Sequence, residues 1–125
     1  MLYSEEEIKI QNETNLNLLE EYSNNENKKV KFSLALNKNC TSEILEKIYN
    51  IDSKALKLFV VRNPNCPVYI IEDIFNHFGD QLVIHKRDVL KNPNCPASIL
   101  ENYLNSNDIR YRTALSLNKN ITSLC

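Results

Sequence analysis

A chain of 125 residues, 42% hydrophobic and 25% charged, is long enough for one packed domain, and its formal net charge of −1 excludes indiscriminate phosphate binding. No apolar run approaches the ~20 residues of a transmembrane helix, and the opening "MLYSEEEIKI" is acidic where a secretory leader would be basic and then apolar, so a cytoplasmic protein is expected. The single glycine leaves no glycine-built phosphate loop, and the 19 asparagines sit among regularly spaced Ile, Leu and Val, which argues against disorder.

The first 30 residues carry seven acids and three bases, a net of −4, whereas the remainder carries nine acids and twelve bases, a net of +3. Ser4 followed by Glu7 is a capping-box signature and predicts a helix from residue 5. Leu19-Glu20 stands 26 residues before Leu45-Glu46, a pairing that recurs downstream. Residues 1–30 therefore read as a degenerate, acidic N-terminal cap repeat with its corner near Gln11.

From residue 31 the chain repeats openly. Asn37-Lys38-Asn39-Cys40-Thr41, Asn63-Pro64-Asn65-Cys66-Pro67, Asn92-Pro93-Asn94-Cys95-Pro96 and Asn118-Lys119-Asn120-Ile121-Thr122 begin 26, 29 and 26 residues apart. The longer spacing implies a three-residue insertion near Asn76 to Asp80. After each corner the apolar residues fall on one helical stripe: Ile44, Leu45, Ile48 and Tyr49, then Ile70, Ile71, Ile74 and Phe75, then Ile99, Leu100, Tyr103 and Leu104. The second asparagine or the cysteine is expected at the N-cap of that helix, with proline in its first turn.

A second, shorter helix is predicted before each corner, opening at Asp52-Ser53, after Gly79-Asp80, and at Asn107-Asp108. Counting back from the corner, the seventh residue is Val30, Leu56, His85 or Tyr111, the sixth is basic (Lys31, Lys57, Lys86, Arg112), and the third is aliphatic (Leu34, Val60, Val89, Leu115). One such pair cannot bury its stripe, but stacked pairs share a core. The expected fold is all-α: a single domain over 1–125, a short right-handed, HEAT-like α-solenoid of four to five helix-turn-helix repeats, with regular repeats over 31–125.

The segments "VKFSLALNKNCT", "LKLFVVRNPNCP", "HKRDVLKNPNCP" and "YRTALSLNKNIT" resemble the leucine-rich repeat variant family, whose repeats run Val-Arg-x-Ala-Val-Ala-x-Asn-Pro-x-Thr-Pro before a leucine-bearing helix. The resemblance spans roughly residues 11 to 125 and implies an α-helix alternating with a shorter, often 3₁₀, helix. It implies no single activity. Cysteine stands where the family has threonine in three of the copies.

Cys40, Cys66 and Cys95 fall at equivalent positions and would lie in a row at the ~9–10 Å pitch of packed helices, which cannot gather sulfurs around one zinc. They read as compact buried residues filling the threonine pocket, with a redox role left to any thiol whose pKa a helix N-terminus lowers. Cys125 has no periodic counterpart. His77 and His85 have no motif partners, and no nucleophile–base or paired-carboxylate set can be assembled. The recurring bases are expected to pair within their own repeat, as Asp52 with Lys57 and Asp108 with Arg112.

Counting back eight, five and one from each corner gives the outward face of the second helices: Lys29, Phe32, Leu36; Ala55, Leu58, Arg62; Ile84, Arg87, Lys91; Arg110, Thr113, Leu117. Mixed apolar and arginine character suits a protein-binding ridge, and Phe32, Leu58, Arg62, Arg87, Lys91 and Arg110 are its candidate contacts. The expected function is therefore a non-enzymatic, cofactor-free module that binds another protein, such as a small complete bacterial immunity protein masking a toxin domain. The rivals are nucleic-acid binding through Arg62, Arg87, Lys91 and Arg110, and a redox or metal response of the cysteines.

Overall fold

A computed structural model describes residues 2–49, 54–78, 83–119 and 121. Among them no strand occurs, and the regular elements are nine α-helices. The chain divides into two compact units, Met1–Pro67 and Val68–Cys125. The helices that follow a corner are α2 (Leu16–Ser23), α4 (Ser42–Tyr49), α6 (Val68–Phe78) and α8 (Ala97–Glu101). Those that precede one are α1 (Glu5–Gln11), α3 (Lys28–Ala35), α5 (Lys54–Arg62), α7 (Val83–Lys91) and α9 (Ile109–Ser116). Both sets begin at the spacing of the sequence repeat: residues 16, 42, 68 and 97 in one, 28, 54, 83 and 109 in the other.

In the first unit α3 is the central element, packed against α1, α2, α4 and α5. Ile10, Leu19, Leu34, Leu45, Ile48, Val60 and Val61 are sealed from solvent. The acidic first turn of α1 is fixed as expected. The Ser4 hydroxyl accepts the Glu7 N–H, and the Glu7 carboxylate accepts the Ser4 N–H in return. Asn15 and Asn27 cap α2 and α3 with their side-chain oxygens.

The corner works through its first asparagine. Asn63 is only 4% exposed, yet every polar atom of it is used. Its carbonyl accepts the Cys66 N–H (3.0 Å), closing a β-turn with Pro64 at the position that favours proline. Its Oδ1 accepts the Asn65 N–H (2.9 Å) as an Asx turn. Its Nδ2 donates to the carbonyls of Ala35 (2.8 Å) and Asn37 (2.9 Å), one repeat earlier. Asn37 in turn donates to the carbonyls of Ile10 (2.7 Å) and Glu13 (2.9 Å), so the degenerate first corner accepts the same link.

These bonds move the helix start. The second asparagine and the cysteine are engaged in the turn, and Asn65 Nδ2 also reaches back to the Lys38 and Cys40 carbonyls. Neither is therefore the cap. Thr41, Pro67 and Pro96 immediately precede the helices instead. Thr41 Oγ1 accepts the Ile44 N–H, whereas Pro96 caps α8 with extended backbone (φ −71°, ψ 152°) and no side-chain bond. Proline thus stands at the cap and not in the first turn.

In the second unit α7 packs against α6 and α9. Ile70, Ile71, Ile74, Val89, Leu90, Ile99 and Leu100 are buried, and Asn118 donates to the Leu90 (2.7 Å) and Asn92 (2.9 Å) carbonyls as Asn63 does in the first unit. The third stripe departs from expectation at its end. α8 stops at Glu101, and the amides of Asn102, Tyr103 and Leu104 bond only three residues back. That tighter winding takes Leu104 off the buried face, and it is 39% exposed. Tyr103 remains half-buried, edge-on to Phe75 and Tyr111 at centroid distances of 6.1 and 4.9 Å. The insertion expected near Asn76 to Asp80 begins inside α6, which has 11 residues where α4 has 8, while Gly79-Asp80 and the expected helix start at Asp52-Ser53 lie outside the described residues.

Asn63→Ala removes one acceptor and two donors: the Ala35 carbonyl loses its side-chain donor, where a buried carbonyl without a partner costs about 1–3 kcal/mol, and the Asn37 carbonyl keeps only the Cys40 N–H. A loss of about 3 kcal/mol or more in urea unfolding is expected. Asn63→Asp keeps the acceptor and points a carboxylate at the same carbonyls. It should be at least as damaging at pH 7 and partly recover as the pH falls toward ~4, since burial against those carbonyls raises the carboxyl's pKa in the folded chain and the protonated form can donate.

Candidate interaction surface

The outward face of α3 and α5 forms, with the chain's first residues, a groove of about 350 Å³ lined by Leu2, Tyr3, Glu7, Lys29, Phe32, Ala55 and Phe59. Three of the expected ridge residues, Lys29, Phe32 and Ala55, lie in it. Leu58 is half-buried and does not line it. The next residue, Phe59, takes that place, its ring edge-on to Phe32 at 5.3 Å. The one-residue offset between the two aromatic positions hid this contact from a fixed count back from the corner. Leu2, Tyr3 and Glu7 belong to no repeat position, and no periodicity points to them.

Arg62 is exposed, with its guanidinium carbon 5.8 Å from the Phe59 ring centroid. Phe59 and Arg62 also line a smaller depression of about 100 Å³ with Leu36, Lys38 and Pro64. A third, polar hollow of about 280 Å³ shares Leu36 and Lys38 with it and adds Gln11, whose Nε2 is buried without a hydrogen-bond partner. The three concavities are thus linked through Phe59, Leu36 and Lys38.

The ridge residues of the second unit are differently placed. Lys91 is exposed, but Arg87 is half-buried, with its Nε enclosed and without a hydrogen-bond partner. Arg110 grips Asp108 with two bonds, Nε to Oδ1 (3.0 Å) and Nη2 to Oδ2 (2.8 Å). These bonds, with a weaker pull from Arg87, hold the half-buried Asp108 carboxyl down to about 2. Asp108 therefore pairs with Arg110 and not with Arg112, because its carboxylate also caps α9 on the Arg110 N–H and stays beside that residue. Thr113 and Leu117 are exposed. The side chains of His77, Ile84 and His85 lie outside what is described, and so do Cys125 and Asp52, the expected partner of Lys57.

Two recurring bases contact rings. Lys57 Nζ lies 5.6 Å from the Tyr49 ring centroid, and Lys86, 7% exposed, lies 5.8 Å from that of Tyr103. The cysteines are enclosed: Cys40, Cys66 and Cys95 are at most 2% exposed, and the Cys66 thiol sits 3.7 Å from the Pro67 carbonyl. Desolvation by burial pushes all three thiols up to about 12. Burial outweighs any pull from a helix N-terminus, and the lowered pKa that a reactive thiol needs is absent at these three sites. Among the described residues no three His, Cys, Asp or Glu side chains converge as a metal site, and no helix is long and apolar enough to cross a membrane.

Two outcomes follow. In a Cys125→Ser background the three thiols should resist a thiol reagent at pH 8 and react once the chain is unfolded. Below pH 9 folded and unfolded chains both keep these protons. Above it only the unfolded chain ionises, so their contribution to stability fades as the pH rises toward 12. Second, Arg62→Glu gives up the contact with Phe59, worth about 0.5–1 kcal/mol at an exposed site, whereas Arg87→Glu puts a half-buried carboxylate near Asp108 and should cost more than that in denaturant unfolding.

Compared with family models, curated proteins and solved structures, the chain matches none, and its surface is read from its own residues.

Proposed function

We propose that the chain is a non-enzymatic binding module of the leucine-rich repeat variant kind, a short right-handed α-solenoid that holds another protein on the outer face of its second helices. Helix starts that recur with the sequence spacing, and the same asparagine bonds in each unit, support the repeat architecture. The binding reading is carried by one observation: an aromatic pair, Phe32 and Phe59, at a groove of about 350 Å³ beside the exposed Lys29 and Arg62. Arginine and aromatic anchors around a pocket are what protein interfaces spend most of their energy on.

Within this reading the module is a small cytoplasmic inhibitor, such as a bacterial immunity protein that covers a toxin domain. The exposed acids Glu5, Glu6, Glu20 and Glu21 offer a second face for a basic toxin. Enclosed thiols weigh against the redox alternative.

A photo-crosslinking residue placed at the exposed Ala55 tests the proposal in the native host. The expected result is a protein adduct that disappears with Arg62→Glu. A nucleic-acid adduct whose yield collapses with salt would favour the basic-ridge alternative. A protein adduct untouched by Arg62→Glu but lost on reversing Glu5, Glu6, Glu20 and Glu21 would move the binding face to the acidic end.

A further inference from the structure

α3, α5 and the corners that follow them contain no acid. Between Asn27 and Ser42 the chain carries Lys28, Lys29, Lys31 and Lys38, and between Lys54 and Ile71 it carries Lys54, Lys57 and Arg62. These two stretches supply most of the groove and both ends of the depression beside it. Glu7 is the one acid lining either, and its carboxylate is occupied at the α1 cap by the Ser4 N–H. The surface is therefore apolar at its floor and cationic along its length.

We infer that this trough takes a short acidic segment of the partner protein, with one bulky apolar side chain seated against Phe32 and Phe59 and a carboxylate facing Lys38 and Arg62. The inference rests on the protein-binding reading above and specifies the partner's chemistry. The arrangement of rings favours a peptide over nucleic acid. Phe32 and Phe59 are half-buried and edge-on to each other, so neither offers the open flat face on which bases stack. Ala55 keeps the groove open opposite them, where a larger side chain would fill it. Arg62 is held over Phe59, so the guanidinium is positioned before a partner arrives, which lowers the ordering cost of binding.

The test is a display library of short random peptides panned on the full chain and, in parallel, on a Lys38→Glu, Arg62→Glu double variant. Both positions are exposed, so the variant should fold, and its melting curve is recorded alongside to show how much the lost Arg62–Phe59 contact costs. The expected outcome is enrichment on the unmodified chain of sequences with acids beside a Phe, Leu or Trp. A synthetic copy should lose at least about tenfold in affinity on the double variant, the size of a hot-spot truncation, and a similar amount on Ala55→Trp, which fills the groove without altering charge. Enriched peptides that are neutral or basic, or that bind both variants unchanged, would overturn the inference while leaving a protein-binding module in place. Failure to enrich any peptide would overturn it too. If a labelled single-stranded oligonucleotide pool then bound with a steep salt dependence, the protein-binding reading would fall with it.

Discussion

A primary amide with both hydrogens directed at backbone carbonyls is the constraint from which the rest of each unit follows. A helix that ends in the interior leaves carbonyls without donors, and each costs free energy if it stays so. The corner asparagine removes that cost for the preceding repeat while its own oxygen closes the next turn. No other short side chain does both: aspartate lacks the donors, serine has only one, and leucine has neither. The hydrophobic stripes supply the bulk of the burial, but they tolerate sliding by a fraction of a turn. The amide does not, since its two acceptors are fixed in place at 2.7–2.9 Å. It therefore sets the register in which apolar residues meet.

Why the period was legible, and the caps were not, follows from the same bonds. Spacing of Ile and Leu reports helix faces directly, and Leu45, Ile71 and Leu100 are sealed as their equivalence implies. A cap depends on which polar groups remain available, and the sequence does not display that. Asn65 and Cys66 look like capping residues until the turn claims their amides. Asp108 illustrates the same limit. Sequence spacing suits Arg112 one turn on, yet the cap bond holds the carboxylate beside Arg110. Aromatic contacts were the least legible, because Phe32 and Phe59 meet from positions one residue out of phase.

Charge is segregated between individual helices as well as along the chain. In the first unit, α1, α2 and α4 carry the acids, whereas α3 and α5 carry only bases. A nearly neutral molecule thereby presents local fields of opposite sign, and such fields orient an approaching partner more than they bind it. The buried thiols take no part in this. They fill space, and their protons are held by the same desolvation that would make a threonine hydroxyl there seek the neighbouring proline carbonyl.

The proline after Asn63 and after Asn92 also bears on how the molecule ages. Asparagine loses its amide chiefly when the following backbone nitrogen attacks the side chain, and a proline nitrogen has no hydrogen to give up. Asn63 and Asn92 are closed to that route, while Asn37 and Asn118, each followed by lysine, depend for protection on burial and on the bonds that hold their amides. Deamidation at either would turn the donor of two interior bonds into an anion facing two carbonyls. Among the four corners, slow chemical damage in storage should thus reach the lysine-bearing pair before the proline-bearing pair, and peptide mapping of aged protein would show that order.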